Sequence, residues 1–358
     1  MVQREDARIR LGWPDVGAAE LDEVAGVLES GMLTMGPKVP EFEAELARAC
    51  EVDHALAVSS GTAALHLAVL ALGLEPGDEV IVPAYTFPAT ANVVALAGLR
   101  PVLVDVDPET MNIDPERIDV GPRTKAVLAV HLFGRPAPVA ELPDSLVVLE
   151  DAAGALGARY RGRACGGLGL LGCLSFHPRK IVTTGEGGAV TTNDPAVAAE
   201  VAAGRNHGWR SLVPPELPEP GLNYRLSDIL CAVGLPQIRR LDDLLAARTR
   251  IADGYTERLR ELPVSVPVAA DGDVHGWQAY VIQIDDRDGV LRELRAQGIE
   301  AQIGTYALHL LGAYRDQGPY PGASRVFERA LALPFHTRLT DGDLDRVVGA
   351  LVKIVSNH

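Results

Sequence analysis

Apolar residues in the first third of the chain alternate between the spacing of helices and that of strands. Residues 17–30 place Leu21, Val24 and Leu28 on one face of a predicted helix. A second amphipathic helix is predicted at residues 40–50. Short apolar runs then predict strands, separated by stretches that predict helices, with strands at 54–58, 79–82 and 101–105 and helices at 63–72 and 89–97. This alternation is typical of a parallel sheet covered by helices.

The same pattern continues to about residue 255 and then changes. It predicts three more strands, one helix, a proline-rich loop and a long helical stretch, at 126–131, 146–150, 173–176, 195–203, 214–221 and 226–255, the last one broken near Pro236. Beyond residue 263 the pattern is α+β, with strands at 275–286 and 300–306 and helices at 288–299 and 341–355. We therefore predict an α/β fold with a large domain over residues 1–250, including the N-terminal helical segment, and a small α+β domain over residues 251–358.

Composition narrows the class of protein. The chain has 358 residues, 47% of them hydrophobic, and a formal net charge of −15, which argues against nucleic-acid binding because that function needs a basic surface. Cys50, Cys165, Cys173 and Cys231 lack metal-ligand spacing, so we predict no metal site and four buried, reduced thiols. The N-terminus, MVQREDARIR, has no apolar signal segment, and no apolar run is long enough to span a membrane. We expect a cytoplasmic protein.

Three candidate ligand-binding features follow predicted strands. The turn at residues 59–62, Ser-Ser-Gly-Thr, joins a strand to a helix, where free amides can hold a phosphate, although the same residues also cap ordinary helices. Phe87 follows strand 79–82 and could either stack on a planar ring or fill the core. Asp151 follows strand 146–150, and a buried carboxylate there needs a partner, either a helix start or a protonated ring nitrogen.

Lys180 lies in residues 173–190, CLSFHPRKIVTTGEGGAV, between a short β-rich run and a glycine-rich loop. Lysine is rare in this chain, since only four of the 33 basic residues are lysines. An amine can form a Schiff base with an aldehyde, whereas a guanidinium cannot, and a solvated loop lysine is the alternative interpretation. The run GGLGLLG at 166–172 has G-x-G-x-x-G spacing, but it precedes a strand and opens no helix, so it does not indicate dinucleotide binding.

Four features thus lie at the ends of strands in one predicted sheet: a phosphate-type turn, an aromatic ring, a carboxylate and an amine. Pyridoxal 5′-phosphate (PLP) needs these same four groups, for its phosphate, its ring face, its ring nitrogen and its aldehyde. The sequence therefore predicts a PLP-dependent enzyme.

The chain resembles the DegT/DnrJ/EryC1/StrS family of sugar aminotransferases. The resemblance covers nearly the whole chain and rests on long motifs, among them SSGTAALHLAVLALGLEPGDEVIVPAYTFPATAN, VVLEDAAGALGARY, SFHPRKIVTTGEGG and NYRLSDILCAVGLPQI. It implies the fold-type I architecture of PLP-dependent transferases, with a mostly parallel seven-stranded sheet, helices on both sides and a smaller C-terminal domain.

The resemblance also implies roles for individual residues. Lys180 matches the Schiff-base lysine, Asp151 the partner of the pyridine nitrogen and Phe87 the residue that stacks on the ring. The family's phosphate-binding positions are Gly61, Thr62, Ala63 and Ser175, joined by Asn223 from the neighbouring subunit, which implies a homodimer with shared active sites. His177, His207 and Arg225 fall in motifs near the substrate.

The reaction implied is transfer of an amino group from L-glutamate to a nucleotide-linked ketosugar. The residues of the SFHPRKIVTTGEGG motif resemble those of members acting on 4-keto-6-deoxy sugars. Lys180 argues against the dehydratase branch of the family, which has histidine at this position. An aminotransferase acting on a keto-inositol is the nearest alternative, and a non-catalytic PLP-binding regulator is a more distant one.

One position departs from the family pattern. The chain has Gly154 where members usually have glutamine or histidine in contact with the cofactor. Either a water or another side chain supplies that contact, or the pocket is wider for its acceptor.

Overall fold

A computed structural model describes residues 8–315 and 317–356 of the protein. The N-terminal stretch MVQREDARIR, for which the sequence predicts no signal segment, lies mostly outside the described residues. The α-helices are α1 (Ala18–Ser30), α2 (Lys38–Cys50), α3 (Gly61–Ala71), α4 (Ala89–Leu96), α5 (Pro195–Gly204), α6 (Asp228–Arg239), α7 (Leu241–Leu259), α8 (Arg287–Ala296), α9 (Pro321–Arg329) and α10 (Asp341–Ser356).

In the described residues the strands form a seven-stranded sheet, a three-stranded sheet and three two-stranded pairs. They are β1 (His54–Val58), β2 (Glu79–Pro83), β3 (Tyr85–Thr86), β4 (Arg100–Val104), β5 (Thr124–Val130), β6 (Val147–Asp151), β7 (Arg159–Tyr160), β8 (Arg163–Ala164), β9 (Leu171–Ser175), β10 (Gly188–Thr192), β11 (Ser211–Leu212), β12 (Pro215–Glu216), β13 (Tyr280–Gln283), β14 (Gln302–Ile303), β15 (Tyr306–Ala307) and β16 (Ala330–Leu333).

The main sheet has seven strands in the order β1-β10-β9-β6-β5-β2-β4. All neighbours from β9 to β4 are parallel, and only β10 runs against both of its neighbours. The mostly parallel seven-stranded sheet expected from the sequence is therefore confirmed. Because parallel strands share a direction, the residues that follow β2, β5, β6 and β9 meet at one edge of the sheet.

Both faces of this sheet are buried, which explains why its strands are nearly continuous apolar runs. In β5, Ala126 and Leu128 pack into one hydrophobic cluster with α3 and α4, whereas Val127 and Ala129 pack into a cluster on the opposite face. Residues two apart point to the same side of a strand, so a run with no polar alternation needs cover on both faces.

The C-terminal part of the chain has a small antiparallel sheet of its own, in the order β13-β16-β14. Its residues share a hydrophobic cluster with α7, α8 and α10. The boundary that we predict between residues 250 and 251 stays a prediction, and α7 runs across it. The segment after β14 contacts the chain just after β2, because β15 pairs with β3 and the Thr305 amide donates to the Tyr85 hydroxyl at 3.0 Å.

Leu21 and Leu28, which the sequence places on one face of α1, are 68% and 58% exposed, and α1 buries Val27. Two details of the sequence prediction were wrong. The break in the long helical stretch lies at Arg240 and not near Pro236, since Arg240 leaves helical geometry (φ −111°, ψ 27°) while α6 contains the proline.

The second error concerns the predicted strands at 275–286 and 300–306. The first shrinks to β13, because Trp277 has a left-handed backbone (φ 47°) that no strand accommodates. The second is divided into β14 and β15 at Gly304, whose missing side chain leaves room for the Tyr85 hydroxyl.

All four cysteines are buried with free thiols, as the sequence predicts. Among the helices in the described residues, none combines the length and the apolar composition needed to cross a bilayer.

Candidate active site

The turn between β1 and α3 forms one end of a cavity of about 340 Å³. Ser60 caps α3, and its Oγ accepts a hydrogen bond from the Ala63 amide at 3.0 Å. The Ala63 side chain is buried and does not line the cavity. A Cβ at Gly61 would lie 2.7 Å from Ser175 Cβ, so glycine lets Ser175 approach the helix start. Gly61, Thr62 and Ser175 all line the cavity. The first amides of a helix have no partner within it, which makes this end suited to an anion.

Asp151 lies at the carboxyl end of β6 and lines the same cavity. It is 6% exposed, and its two oxygens accept hydrogen bonds from Thr90 Oγ1 at 2.8 Å and from the Ala153 amide at 3.2 Å. No helix begins after it, so the capping alternative is wrong. Within the part of the chain that the structure describes, Asp151 has no ion pair. A cation in the cavity would complete its environment.

The neighbouring carboxylate is satisfied internally. Glu150 accepts hydrogen bonds from His131 Nε2 at 2.9 Å and from the amides of Gly166, Leu168 and Gly169 at 2.7 to 2.8 Å. Both carboxylate oxygens are used twice, and the residue is fully buried. Glu150 therefore holds the chain after β6 in place, and the adjacent aspartate is the carboxylate that remains for a ligand.

Lys180 is half-buried in the cavity at the end of a tight turn, where its amide donates to the His177 carbonyl at 2.8 Å. Burial lowers the pKa of Lys180, Asp151 raises it and Arg179 lowers it again, with a net value of about 8. Near physiological pH an amine with this pKa has a far larger neutral fraction than an ordinary lysine, whose pKa is about 10.4, and the neutral form is the one that acts as a nucleophile or a proton acceptor.

The glycine-rich loop after Lys180 is fixed from α6. The Gln237 side chain accepts from the Thr183 amide at 3.0 Å and donates to the Thr183 carbonyl at 2.7 Å. Thr183 Oγ1 donates to the Phe176 carbonyl at 2.8 Å, which closes the loop onto the end of β9. Gly185 has φ 85°, a conformation that favours glycine. The loop after Lys180 is thus held against α6 and the end of β9.

Phe87 is a cavity residue and not a core residue. Its side chain is 60% exposed, and its ring lies 6.3 Å from that of Tyr306 at a tilt of 58°. The alternative in which Phe87 fills the core is therefore wrong, and one face of its ring is available to a planar ligand.

Gly154 has a glutamine beside it from a distant part of the chain. A Cβ at Gly154 would lie 3.4 Å from Gln278 Cβ and Cγ and 3.5 Å from Gln278 Oε1. Both residues line the cavity. Of the alternatives left open by the sequence, the geometry favours another side chain, Gln278, at the place where the glycine leaves space.

The remaining candidates divide into one inside the cavity and three outside it. His177 lines the cavity. Asn223 and His207 are exposed away from it, and Arg225 donates to Asn206 Oδ1 at 2.6 Å outside it. The structure of one chain thus does not bring these three to Lys180.

Sequence reasoning missed Arg179, Gln278 and Thr90. Arg179 is adjacent to the lysine and could have been proposed from its charge alone. Thr90 lies on α4, where its buried hydroxyl donates to Asp151, and Gln278 lines the cavity from an irregular segment before β13, so only the folded chain brings them to the site.

Comparison with known proteins agrees with this geometry. A sequence profile of the DegT/DnrJ/EryC1/StrS aminotransferase family matches residues 14–352. The chain belongs to this family. GDP-perosamine synthase of Caulobacter vibrioides is 39% identical over 97% of this chain and 98% of its own length.

Two solved structures confirm the fold-type I architecture expected for the family. Aminotransferase TlmJ from Streptoalloteichus hindustanus is 33% identical, with a TM-score of 0.94 over 98% of this chain and 99% of its own. Spr1654 from Streptococcus pneumoniae, in its PLP form, is 28% identical, with a TM-score of 0.92 over 98% of this chain and 99% of its own. This member of the DegT/DnrJ/EryC1/StrS family is accordingly a PLP-dependent aminotransferase.

The low pKa of Lys180 predicts selective chemistry in the cofactor-free protein. Acetaldehyde with cyanoborohydride at pH 8 is expected to modify Lys180 before Lys38, Lys125 and Lys353, because an ordinary lysine has a pKa of about 10.4 and is almost fully protonated there. Glu23 raises the pKa of Lys38 and protects it further. The rate at Lys180, followed by peptide mass spectrometry, should rise with pH through a midpoint of about 8. Equal rates at all four lysines would contradict the structure.

Proposed function

We propose that this enzyme moves an amino group from L-glutamate to a nucleotide-linked ketosugar of the 4-keto-6-deoxy class, as a cytoplasmic homodimer. The observation that carries the proposal is Lys180, an amine with a pKa of about 8 that shares one cavity with an unpaired carboxylate and a helix start. A relative named for a GDP-linked sugar supports the nucleotide-linked acceptor. The four free, buried thiols accord with a reducing compartment.

The cavity residues fit PLP in kind and in place. The amides at the start of α3 and the hydroxyls of Thr62 and Ser175 would hold the phosphate, Asp151 would pair with the protonated ring nitrogen, and Phe87 would cover the ring. Gln278 would take the contact that the family usually makes from the position of Gly154. When bound through Lys180, PLP supplies an electron sink for the carbon that loses its proton.

Lys180 has two roles in this proposal. Its Nζ holds the cofactor between turnovers, and once displaced by the donor it takes a proton from the α-carbon of the amino acid. In the second half of the cycle the same Nζ returns a proton to the sugar carbon that receives the amino group. Burial lowers the pKa of this amine, so a far larger fraction of it is neutral and able to accept the proton than of an ordinary lysine.

A homodimer is proposed because one chain leaves part of the expected site uncovered. Asn223, His207 and Arg225 lie outside the cavity that contains Lys180. An exposed apolar surface lies on α1 and the loop after it, formed by Leu21, Leu28, Met32, Leu33 and Met35. A second copy that covers this surface would bury side chains that a lone chain exposes to water, and it would bring its own Asn223 to the phosphate end.

The acceptor is tested with a panel of nucleotide-linked ketosugars, free ketosugars and keto-inositols. The enzyme is first converted to the amine form of its cofactor with L-glutamate, and return of the visible absorbance is then followed for each acceptor. We expect nucleotide-linked 4-keto-6-deoxy sugars to react fastest, by about tenfold or more per lost anchoring group. Faster reaction with a free keto-inositol would favour the cyclitol alternative, and no reaction with any acceptor would refute the proposal.

A further inference from the structure

Arg179 brings a guanidinium group to the cavity that contains Lys180. Both side chains line the cavity, and the two residues end the same tight turn. The Arg179 amide lies 3.3 Å from His177 Nδ1, which fixes the backbone at the arginine as well as at the lysine. The positive charge of Arg179 is close enough to lower the pKa of Lys180.

Neutral groups hold the guanidinium and the backbone of Arg179 in position. Arg179 Nη1 donates to Gln302 Oε1 at 2.7 Å, and the Arg179 carbonyl accepts from Gln278 Nε2 at 3.2 Å. Gln302 lies on β14 and Gln278 precedes β13, so both supports come from the C-terminal part of the chain. Over residues 8–315 and 317–356, Arg179 makes no ion pair. Its cation is therefore oriented without being neutralised.

Two other arginines that are half-buried form ion pairs instead. Arg205 pairs with Glu43, and Arg240 pairs with Asp15 at 2.9 Å and with Glu20 at 3.1 Å. In a chain with a net charge of −15, carboxylates are abundant, so an arginine in a cavity that is supported only by amides has donors left for a ligand anion. A guanidinium binds a carboxylate through two parallel hydrogen bonds.

We propose that Arg179 binds the α-carboxylate of the amino-acid donor. This inference rests on the proposed function. The α-carboxylate is one bond from the carbon whose proton Lys180 removes, so its binding site must lie in the cavity that contains Lys180, and Arg179 lines that cavity. The diphosphate of a nucleotide-linked sugar is attached at C-1, across the ring from a keto group at C-4, and therefore lies farther from the reacting carbon. The cofactor phosphate is accounted for by the start of α3.

The two half-reactions separate this role from others, because donor and acceptor react with the enzyme at different times. Arg179→Gln is expected to lower kcat/KM for L-glutamate by about 10- to 100-fold, the loss typical of a charge-assisted hydrogen bond. Its acceptor half-reaction should stay within about threefold of wild type. Arg179→Lys keeps the charge without the paired donors and should lose less. Arg325→Gln, which removes an exposed arginine on α9, is the matched control and should leave both half-reactions unchanged.

Binding provides a readout that does not depend on turnover. Calorimetry with 2-oxoglutarate, the keto acid that glutamate becomes, should show at least about tenfold weaker binding to Arg179→Gln than to wild type. Unchanged donor kinetics, a loss confined to the acceptor half-reaction, or equal losses in both would each overturn the inference. If wild type takes its amino group from another amino acid, the glutamate assignment fails, while the same comparison with that donor still tests Arg179, since every α-amino acid carries this carboxylate.

Discussion

Replacing Lys180 with alanine is expected to lower amino-group transfer by at least about 10³-fold, because the cavity then lacks both the amine that holds the cofactor and the base that moves the proton. The variant should still bind PLP through the start of α3 and Asp151, but without the visible absorbance of the lysine-bound form. Steady-state assays and absorption spectra of the purified variant measure the two effects.

Lys125→Ala is the matched control. Lys125 is exposed, and its Nζ donates to the Pro122 carbonyl at 2.9 Å, so this variant should keep wild-type turnover and spectrum. A Lys180→Ala enzyme that kept turnover within tenfold of wild type would show that another residue is the base.

The same variant tests whether active sites are shared. Mixing inactive Lys180→Ala with an Asn223→Ala variant should restore activity, because one site of each mixed dimer combines an intact lysine from one chain with an intact asparagine from the other. If Asn223 served the site of its own chain, both sites of the mixed dimer would remain damaged and no activity would return.

Replacing Asp151 with asparagine is expected to lower turnover by about 10²- to 10³-fold while leaving the fold intact, since the side chain keeps its size and loses the charge that would stabilise a protonated ring nitrogen. The loss should appear in both half-reactions, because each of them includes the removal of a proton from a carbon atom. Stopped-flow absorbance measures each half-reaction separately.

Two further variants calibrate this effect. Thr90→Val removes only the hydroxyl that donates to Asp151 at 2.8 Å and should cost about tenfold, the value of one hydrogen bond to a charged group. Asp144→Asn changes an exposed carboxylate and should have no effect. An Asp151→Asn enzyme no slower than Thr90→Val would contradict a role for the charge.

The parts of the site that follow directly from strand ends could be predicted from the sequence. Asp151 and Lys180 each lie within a few residues of a buried strand, and parallel strands bring their carboxyl ends to one edge. The order of the strands could not be read in this way. β10 was missed because only Gly188–Thr192 of a glycine-rich stretch is extended, and its place between β1 and β9 is set by tertiary pairing.

Residues brought to the cavity by long-range contacts were also beyond the sequence. Gln278 was assigned to a strand, yet it lies in an irregular segment where Trp277 has a positive φ, and it occupies the space beside Gly154. The surroundings of the apolar face of α1 could not be predicted either. Leu21 and Leu28 have the periodicity of a buried face, but the described chain leaves them exposed, so periodicity reports an apolar face without saying what covers it.

The most direct test of the proposed reaction follows the nitrogen atom itself. Purified enzyme is incubated with PLP, L-glutamate labelled with ¹⁵N at the α-amino group and a nucleotide-linked 4-keto-6-deoxy sugar, and the sugar product is examined by mass spectrometry. We predict one ¹⁵N per product molecule, with an equal amount of 2-oxoglutarate formed and no label in the product from Lys180→Ala. A sugar that remains unaminated, or an amino sugar that carries no ¹⁵N, would contradict the account.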